Sequence, residues 1–142
     1  MVEKEQKTNP VKDFKDSSIV SRIVDNARKY IKSKYVWGGK HPQKGFDCSG
    51  LIGYVYAQAG YDIGMSTTTQ FEAGREVALS DAKVGDIICT RGSGPTGRHV
   101  KMISKIENGK IWAIEARSTK EGIVEKPLTK TSNIITIRRI IG

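Results

Sequence analysis

Tyr35-Val-Trp-Gly-Gly-Lys-His-Pro-Gln-Lys-Gly-Phe-Asp-Cys-Ser-Gly50, followed directly by Leu51-Ile-Gly-Tyr-Val-Tyr56, is the stretch on which the reading of this chain turns. Gly38-Gly39 and Pro42 rule out a continuous helix or a central strand in its first half. In its second half Leu51, Ile52, Val55, Tyr56 and Ala59 fall on one stripe of a helix, and Gly60 stands where a left-handed C-terminal cap closes such a helix. Asp47 is the candidate N-cap, which puts Cys48 in the first turn. Backbone N–H groups there lack acceptors, and the helix dipole favours negative charge. The thiolate is the nucleophilic form of cysteine, and a helix start favours it. A lone cysteine is more often a small buried hydrophobe. Here Asp47, Ser49 and Gly50 replace the apolar flanks that inert burial would predict. The glycines do not have the Gly-x-x-x-x-Gly-Lys-Ser/Thr spacing of a phosphate-binding loop.

Working outward, 142 residues suffice for one domain with a core of its own. Net charge is +9 and the sequence pI is about 9.6, so the expected partner is anionic. The lysines and arginines are scattered and match no nucleic-acid-binding motif, which argues against nucleic acid. No stretch approaches the roughly 20 apolar residues of a membrane span, and the N-terminus lacks the apolar core of a signal peptide. Cys48 and Cys89 allow at most one disulfide and have no metal-ligand spacing, so neither metal nor cofactor is expected. Cys89, in an Ile-Ile-Cys run, reads as a buried structural thiol. Residues 1–16 are charged, poor in apolar side chains and interrupted by Pro10, and read as a polar tail or linker before a domain spanning 17–142.

Ser17 or Ser18 is expected to cap a helix whose apolar stripe runs from Ile19 to Ile31 and which ends near Lys34. Thr67-Thr-Thr-Gln70 resembles a capping box opening a short helix. Strands are then expected at Gly85–Thr90, His99–Ile106, Lys110–Glu115, Gly122–Glu125 and Ile134–Ile140, with Asn108-Gly109 as a hairpin turn. Helices followed by strands make an α+β domain, with N-terminal helices packed on an antiparallel sheet of about five strands.

Cys48 needs a base, and the chain has two histidines. His41 lies in the glycine loop and reads as exposed. His99 begins a strand after a loop containing Gly92, Gly94, Pro95 and Gly97. A cysteine on a helix facing a histidine on a sheet can transfer a proton to the imidazole and later return it to a leaving amine. Glu115, on the next strand, is the candidate to orient that imidazole. An ideal two-residue loop at Asn108-Gly109 pairs 107 with 110, so opposed residue numbers sum to an odd number. His99 and Glu115 sum to an even one and would lie on opposite faces. Bringing them together requires a third loop residue or a β-bulge. Asp86, after Gly85, reads as fixing a turn, and Arg98 and Lys101 flank His99.

Tyr35-Val-Trp-Gly-Gly, Gly45-Phe-Asp-Cys-Ser-Gly-Leu51, Val84-Gly-Asp86 and His99-Val100, in that order, resemble the signature of the NlpC-type cell-wall peptidases, a papain-like cysteine family. The resemblance covers the chain from about residue 19 to its end. It implies a papain-like α+β fold and a cysteine endopeptidase that hydrolyses peptidoglycan stem peptides, usually between D-glutamate and a diamino acid. It also implies Cys48 as nucleophile and His99 as base, with Tyr35, Asp47 and Ser49 gripping the stem peptide and Trp37 lining the groove. Three positions depart from the pattern. Lys101 stands where glycine usually follows His-Val, Val84 where proline precedes Gly-Asp, and Glu115 where the third catalytic position is His, Asn or Gln. A carboxylate can accept the imidazole N–H and stabilises the imidazolium more than an amide does. Lys101 and Glu115 suggest a second reading, a peptidoglycan-binding module with weakened turnover; a third is a related cysteine amidase or acyltransferase. The implied site of action is the bacterial cell wall, reached by secretion, from the periplasm, or by phage or secretion-system delivery. The expected state is a monomer with no membrane insertion, and an injected effector would have an immunity or inhibitor protein as its partner.

Overall fold

The structure, a computed structural model, describes residues 10–92 and 94–142. Its first helix, α1 (Pro10–Arg28), starts earlier than the apolar stripe predicts and ends earlier too. Proline is tolerated at a first helical position, where no N–H acceptor exists. The turns before Ser17 carry no core face. Val11 and Phe14 are 68% and 76% exposed, and Lys12 and Asp16 form an i,i+4 ion pair. Ile23, Val24 and Ala27 are the buried core residues of α1, and Ile19 and Val20 pack partly buried against the same cluster. The helix stops at Arg28 because the sheet captures the chain beyond it. Lys32 turns at φ +78°, its N–H donates to the Ile123 carbonyl at 2.9 Å, and the Ile123 N–H returns to Ser33 at 3.0 Å.

A two-residue hairpin follows, β1 (Lys40–His41) and β2 (Gly45–Phe46), too short to show a period in sequence. Helix α2 (Cys48–Gln58) is the buried centre of the molecule, with Leu51, Ile52, Val55 and Tyr56 at 0–1% exposure. It closes as expected at Gly60 (φ +93°). Tyr61 N–H donates to Tyr56 and Gly60 N–H to Ala57, each at 2.9 Å, the paired bonds of a left-handed cap. Helix α3 (Thr67–Gln70) is capped by Ser66 rather than Thr67; the Ser66 hydroxyl accepts from Thr69 N–H.

The remaining strands are β3 (Arg75–Glu76), β4 (Ile87–Arg91), β5 (Arg98–Glu107), β6 (Lys110–Ser118), β7 (Gly122–Pro127) and β8 (Ile134–Arg139). They form one antiparallel sheet in the order β3-β8-β4-β5-β6-β7. The expected α+β architecture stands, but the sheet has six strands rather than about five. The extra one, β3, is a two-residue edge pairing with β8, without an alternation to read. Ile87, Cys89, Val100, Met102, Ile114 and Ala116 pack with the α2 stripe. Ile88, Ile103 and Ile137 form a second cluster with Val77. Cys89 is fully buried, and burial pushes its thiol up to about 12, consistent with an inert packing role. Asp86 does fix the turn, accepting from Lys83 N–H at 2.8 Å. It is also one half of a buried ion pair with Arg139 at 2.8 Å.

Candidate active site

The loop before α2 is held against the helix start by backbone contact. Asp47 N–H donates to the Gly39 carbonyl at 3.0 Å, and a side chain at Gly50 would collide with that carbonyl. Asp47 is the N-cap: its Oδ1 accepts from Gly50 N–H at 2.7 Å, while Oδ2 accepts from Gly38 N–H at 3.1 Å. One carboxylate thus ties both ends of the glycine loop to the helix. Cys48 becomes the first helical residue, and its N–H has no intrahelical acceptor. Ser49 donates its hydroxyl to the Met65 carbonyl at 3.0 Å. The buried Gln70 donates to the Ser49 and Gly64 carbonyls, each at 2.9 Å. Gln70 is a positioning residue that its capping-box spacing disguised; full burial, not sequence, identifies it.

The sheet solves the register problem with a bulge. Asn108 (φ 52°) and Gly109 (φ 76°) make a two-residue turn with Glu107 opposite Lys110, the odd-sum register. Pairing then shifts between Ile103 and Lys105, with Ile103 opposite Ala113 and Met102 opposite Ile114. Ser104 is the extra residue. Continuing that shifted register brings position 101 level with 115, which places His99 on the same face as Glu115, where the two side chains meet. The bulge is anchored from outside the hairpin. Arg28 donates to the Ser104 carbonyl at 3.2 Å, and the Ser104 hydroxyl donates to Glu125 at 2.6 Å.

His99 Nε2 lies 2.7 Å from Glu115 Oε1, and Cys48 is near enough to act on the charge of the ring. Burial alone would lower the imidazole pKa. The influence of nearby Cys48 and the bond to Glu115 outweigh it and raise it to about 9, so the ring is an imidazolium at neutral pH. Glu115 is only 3% exposed. Burial pushes its carboxyl up, but His99, Lys101 and Arg117 together hold it below the ordinary carboxylate range. Lys101 Nζ is 3.6 Å and Arg117 is 3.3 Å from Glu115 Oε2. Sequence reading missed Arg117; its alternation with Glu115 along β6 was the available signal.

Cys48, His99 and Glu115 open on one groove of about 770 Å³. Tyr35, Trp37, Asp47 and Ser49 line it too, together with Met65, Ser66 and the 94–96 loop. Trp37 is 57% exposed. Burial, then the nearby Cys48 and Asp47, raise the Tyr35 phenol above its ordinary value, so it stays a hydrogen-bond donor. Asp47 and Ser49 are each 6% exposed, with their polar atoms committed to the loop bonds above. His41 is not among the residues lining the groove; it is exposed and packs edge-on against Tyr54 at 5.7 Å. A buried thiol at a helix start beside an imidazolium fixed by a carboxylate can perform nucleophilic acyl transfer.

The family model for the NlpC/P60 family matches residues 32–136. Protein P54 of Enterococcus faecium is 41% identical over 103 residues, covering 66% of this chain and 20% of that protein. The gamma-DL-glutamyl hydrolase of Bacillus subtilis (strain 168) is 42% identical over 76 residues, covering 53% of this chain and 18% of that protein. The chain therefore spans about a fifth of the length of these two relatives. Among solved structures, the NlpC/p60 domain of the peptidoglycan hydrolase SagA matches with a TM-score of 0.68 at 38% identity, covering 84% of this chain and 97% of that one.

Proposed function

The chain belongs to the NlpC/P60 family, with its papain-like α+β fold, and from that premise we propose that it is a peptidoglycan endopeptidase cutting stem peptides between D-glutamate and the diamino acid. The observation that carries the reading is the hydrogen-bonded His99–Glu115 pair, lining one open groove together with Cys48. The names of two relatives, a gamma-DL-glutamyl hydrolase and a peptidoglycan hydrolase, support the choice of bond and polymer.

In this reading the Cys48 thiolate attacks the glutamyl carbonyl, and the oxyanion is held by the free Cys48 N–H. The His99 imidazolium gives its proton to the leaving amine as the C–N bond breaks. Neutral His99 then takes one proton from water as its oxygen attacks the thioester, the C–S bond breaks to return the thiolate, and the released glutamyl acid gives its remaining proton to solvent. Glu115 keeps the ring oriented and charged. Tyr35 and Trp37 contact the stem peptide, while Asp47 and Ser49 shape the floor beneath its end. The working unit is taken as the domain 17–142, acting as a monomer at the bacterial cell wall. Among the described residues no helix is long and apolar enough to cross a membrane.

Digestion of defined muropeptides followed by mass spectrometry tests this. The expected products end in D-glutamate and begin with the diamino acid, and Cys48→Ala abolishes them without changing the thermal melt. Full activity in Cys48→Ala would overturn the mechanism. Cleavage at an amide elsewhere in the muropeptide would replace the peptidase reading with that of an amidase.

A further inference from the structure

The cations lining the groove are Lys40, Arg91, Arg98, Lys101 and Arg117, and they differ in their partners. Lys101 and Arg117 each pair with Glu115, and Arg117 also meets Glu121 at 2.7 Å. Arg91 and Arg98 also line the groove, and among the described residues neither forms an ion pair. They are directly opposed at the end of the β4–β5 ladder. Like charges opposed across two strands destabilise the pairing, so this arrangement costs the fold stability unless an anion joins it. Each guanidinium is anchored separately. Arg91 donates to the Ser132 carbonyl at 3.0 Å, and Arg98 lies over the Phe71 ring at 4.8 Å. Both anchors fix the side chain and leave its charge uncompensated. Arg98 lines the same groove as Cys48 and His99, so an anion held there shares the groove with the candidate reacting groups.

We infer that Arg98, assisted by Arg91, is a carboxylate clamp that selects stem peptides with a free carboxylate on the residue supplying the scissile carbonyl, over peptides amidated there. The inference rests on the peptidase reading for the identity of the ligand. A glutamate linked through its γ-carboxyl keeps its α-carboxylate free beside the scissile bond. The planar guanidinium fork matches a carboxylate with two parallel hydrogen bonds, whereas a primary amide offers one acceptor and no charge. Stacking on Phe71 holds the fork in place before the ligand arrives, which reduces the ordering cost of binding.

The test is calorimetric titration of the Cys48→Ala protein with L-Ala-γ-D-Glu-diamino acid tripeptide and with its glutamate α-amide. The acid form is expected to bind about tenfold more tightly. Arg98→Gln should remove the difference, and Arg98→Lys should keep part of it. Equal affinity, no binding of either peptide, or a preference that survives Arg98→Gln would each overturn the clamp. Hydrolysis by the wild-type chain is scored separately. Selective binding without cleavage would refute the peptidase reading and leave the clamp standing. Cleavage of both peptides with equal kcat/KM would refute the clamp and leave the peptidase.

Discussion

Among single side chains, Glu115 distinguishes this site from a cysteine–histidine pair oriented by an amide or a second imidazole. Its carboxylate stabilises charge on His99, yet it also faces Lys101 and Arg117, so its field is divided among three cations. The imidazolium nonetheless persists up to about 9, against an ordinary value of 6.5. Because the folded-state value is the higher one, the interaction stabilises the fold fully below about 6.5 and is lost as pH rises through about 9. Activity that needs the imidazolium should fall along the same limb. In Glu115→Gln, loss of the carboxylate should move the alkaline limb of kcat/KM down towards the ordinary histidine value and lower its maximum by about 10–100-fold. A pH–rate profile on a soluble muropeptide reads both effects. An unmoved alkaline limb would mean that Glu115 only packs against the ring. The catalytic candidates at this scale were legible in sequence because chemistry restricts them: one cysteine with polar flanks, one histidine opening a strand, one acid on the neighbouring strand. Lys101 and Arg117 were not legible as partners of Glu115, since their convergence depends on register.

That register belongs to the elements. The Asn108-Gly109 turn was readable from two residues, but nothing in Ser104 marks it as a bulge. Its carbonyl is held by Arg28, 76 residues away, and its hydroxyl by Glu125, 21 residues away. Such a bulge is a tertiary decision. The start of α1 and the edge strand β3 escaped notice for a related reason: neither buries a periodic apolar face. Helix α2 was legible at both ends, because its stripe, cap and terminal glycine all agree. Its N-cap offers a clean separation of structural from binding roles. Asp47→Ala removes the acceptor for Gly50 N–H and the tether to Gly38, and should cost about 1–2 kcal/mol in denaturant unfolding. Asp47→Asn keeps an oxygen at the cap and should recover most of that. If Asp47 contacts substrate only through the floor it builds, kcat/KM should recover along with stability. A stable Asp47→Asn protein with a raised KM would show direct contact with the stem peptide instead.

At the scale of the whole molecule, the groove lies between the helix start that carries Cys48 and the sheet that carries His99 and Glu115. The order of elements in the sequence, helices then strands, foretold this division; the bulge that aligns its two halves was invisible. Charge has its own distribution. The chain is +9, while the acids nearest the reacting centre, Asp47 and Glu115, are already committed to internal partners. In the proposed endopeptidase, long-range attraction to an anionic polymer would therefore come from the surface as a whole, and bond cleavage from a short-range constellation. Salt separates the two, because exposed charges are screened over about 8–10 Å at physiological ionic strength whereas buried pairs are screened far less. Raising sodium chloride from 50 to 500 mM should reduce co-sedimentation of the Cys48→Ala protein with insoluble sacculi severalfold. Over the same range, kcat on a small soluble muropeptide at saturation should change by less than about twofold. Equal salt sensitivity of the two measurements would place the wall-binding charge inside the groove itself, and salt-insensitive sedimentation would show that the net charge plays no part in holding the polymer.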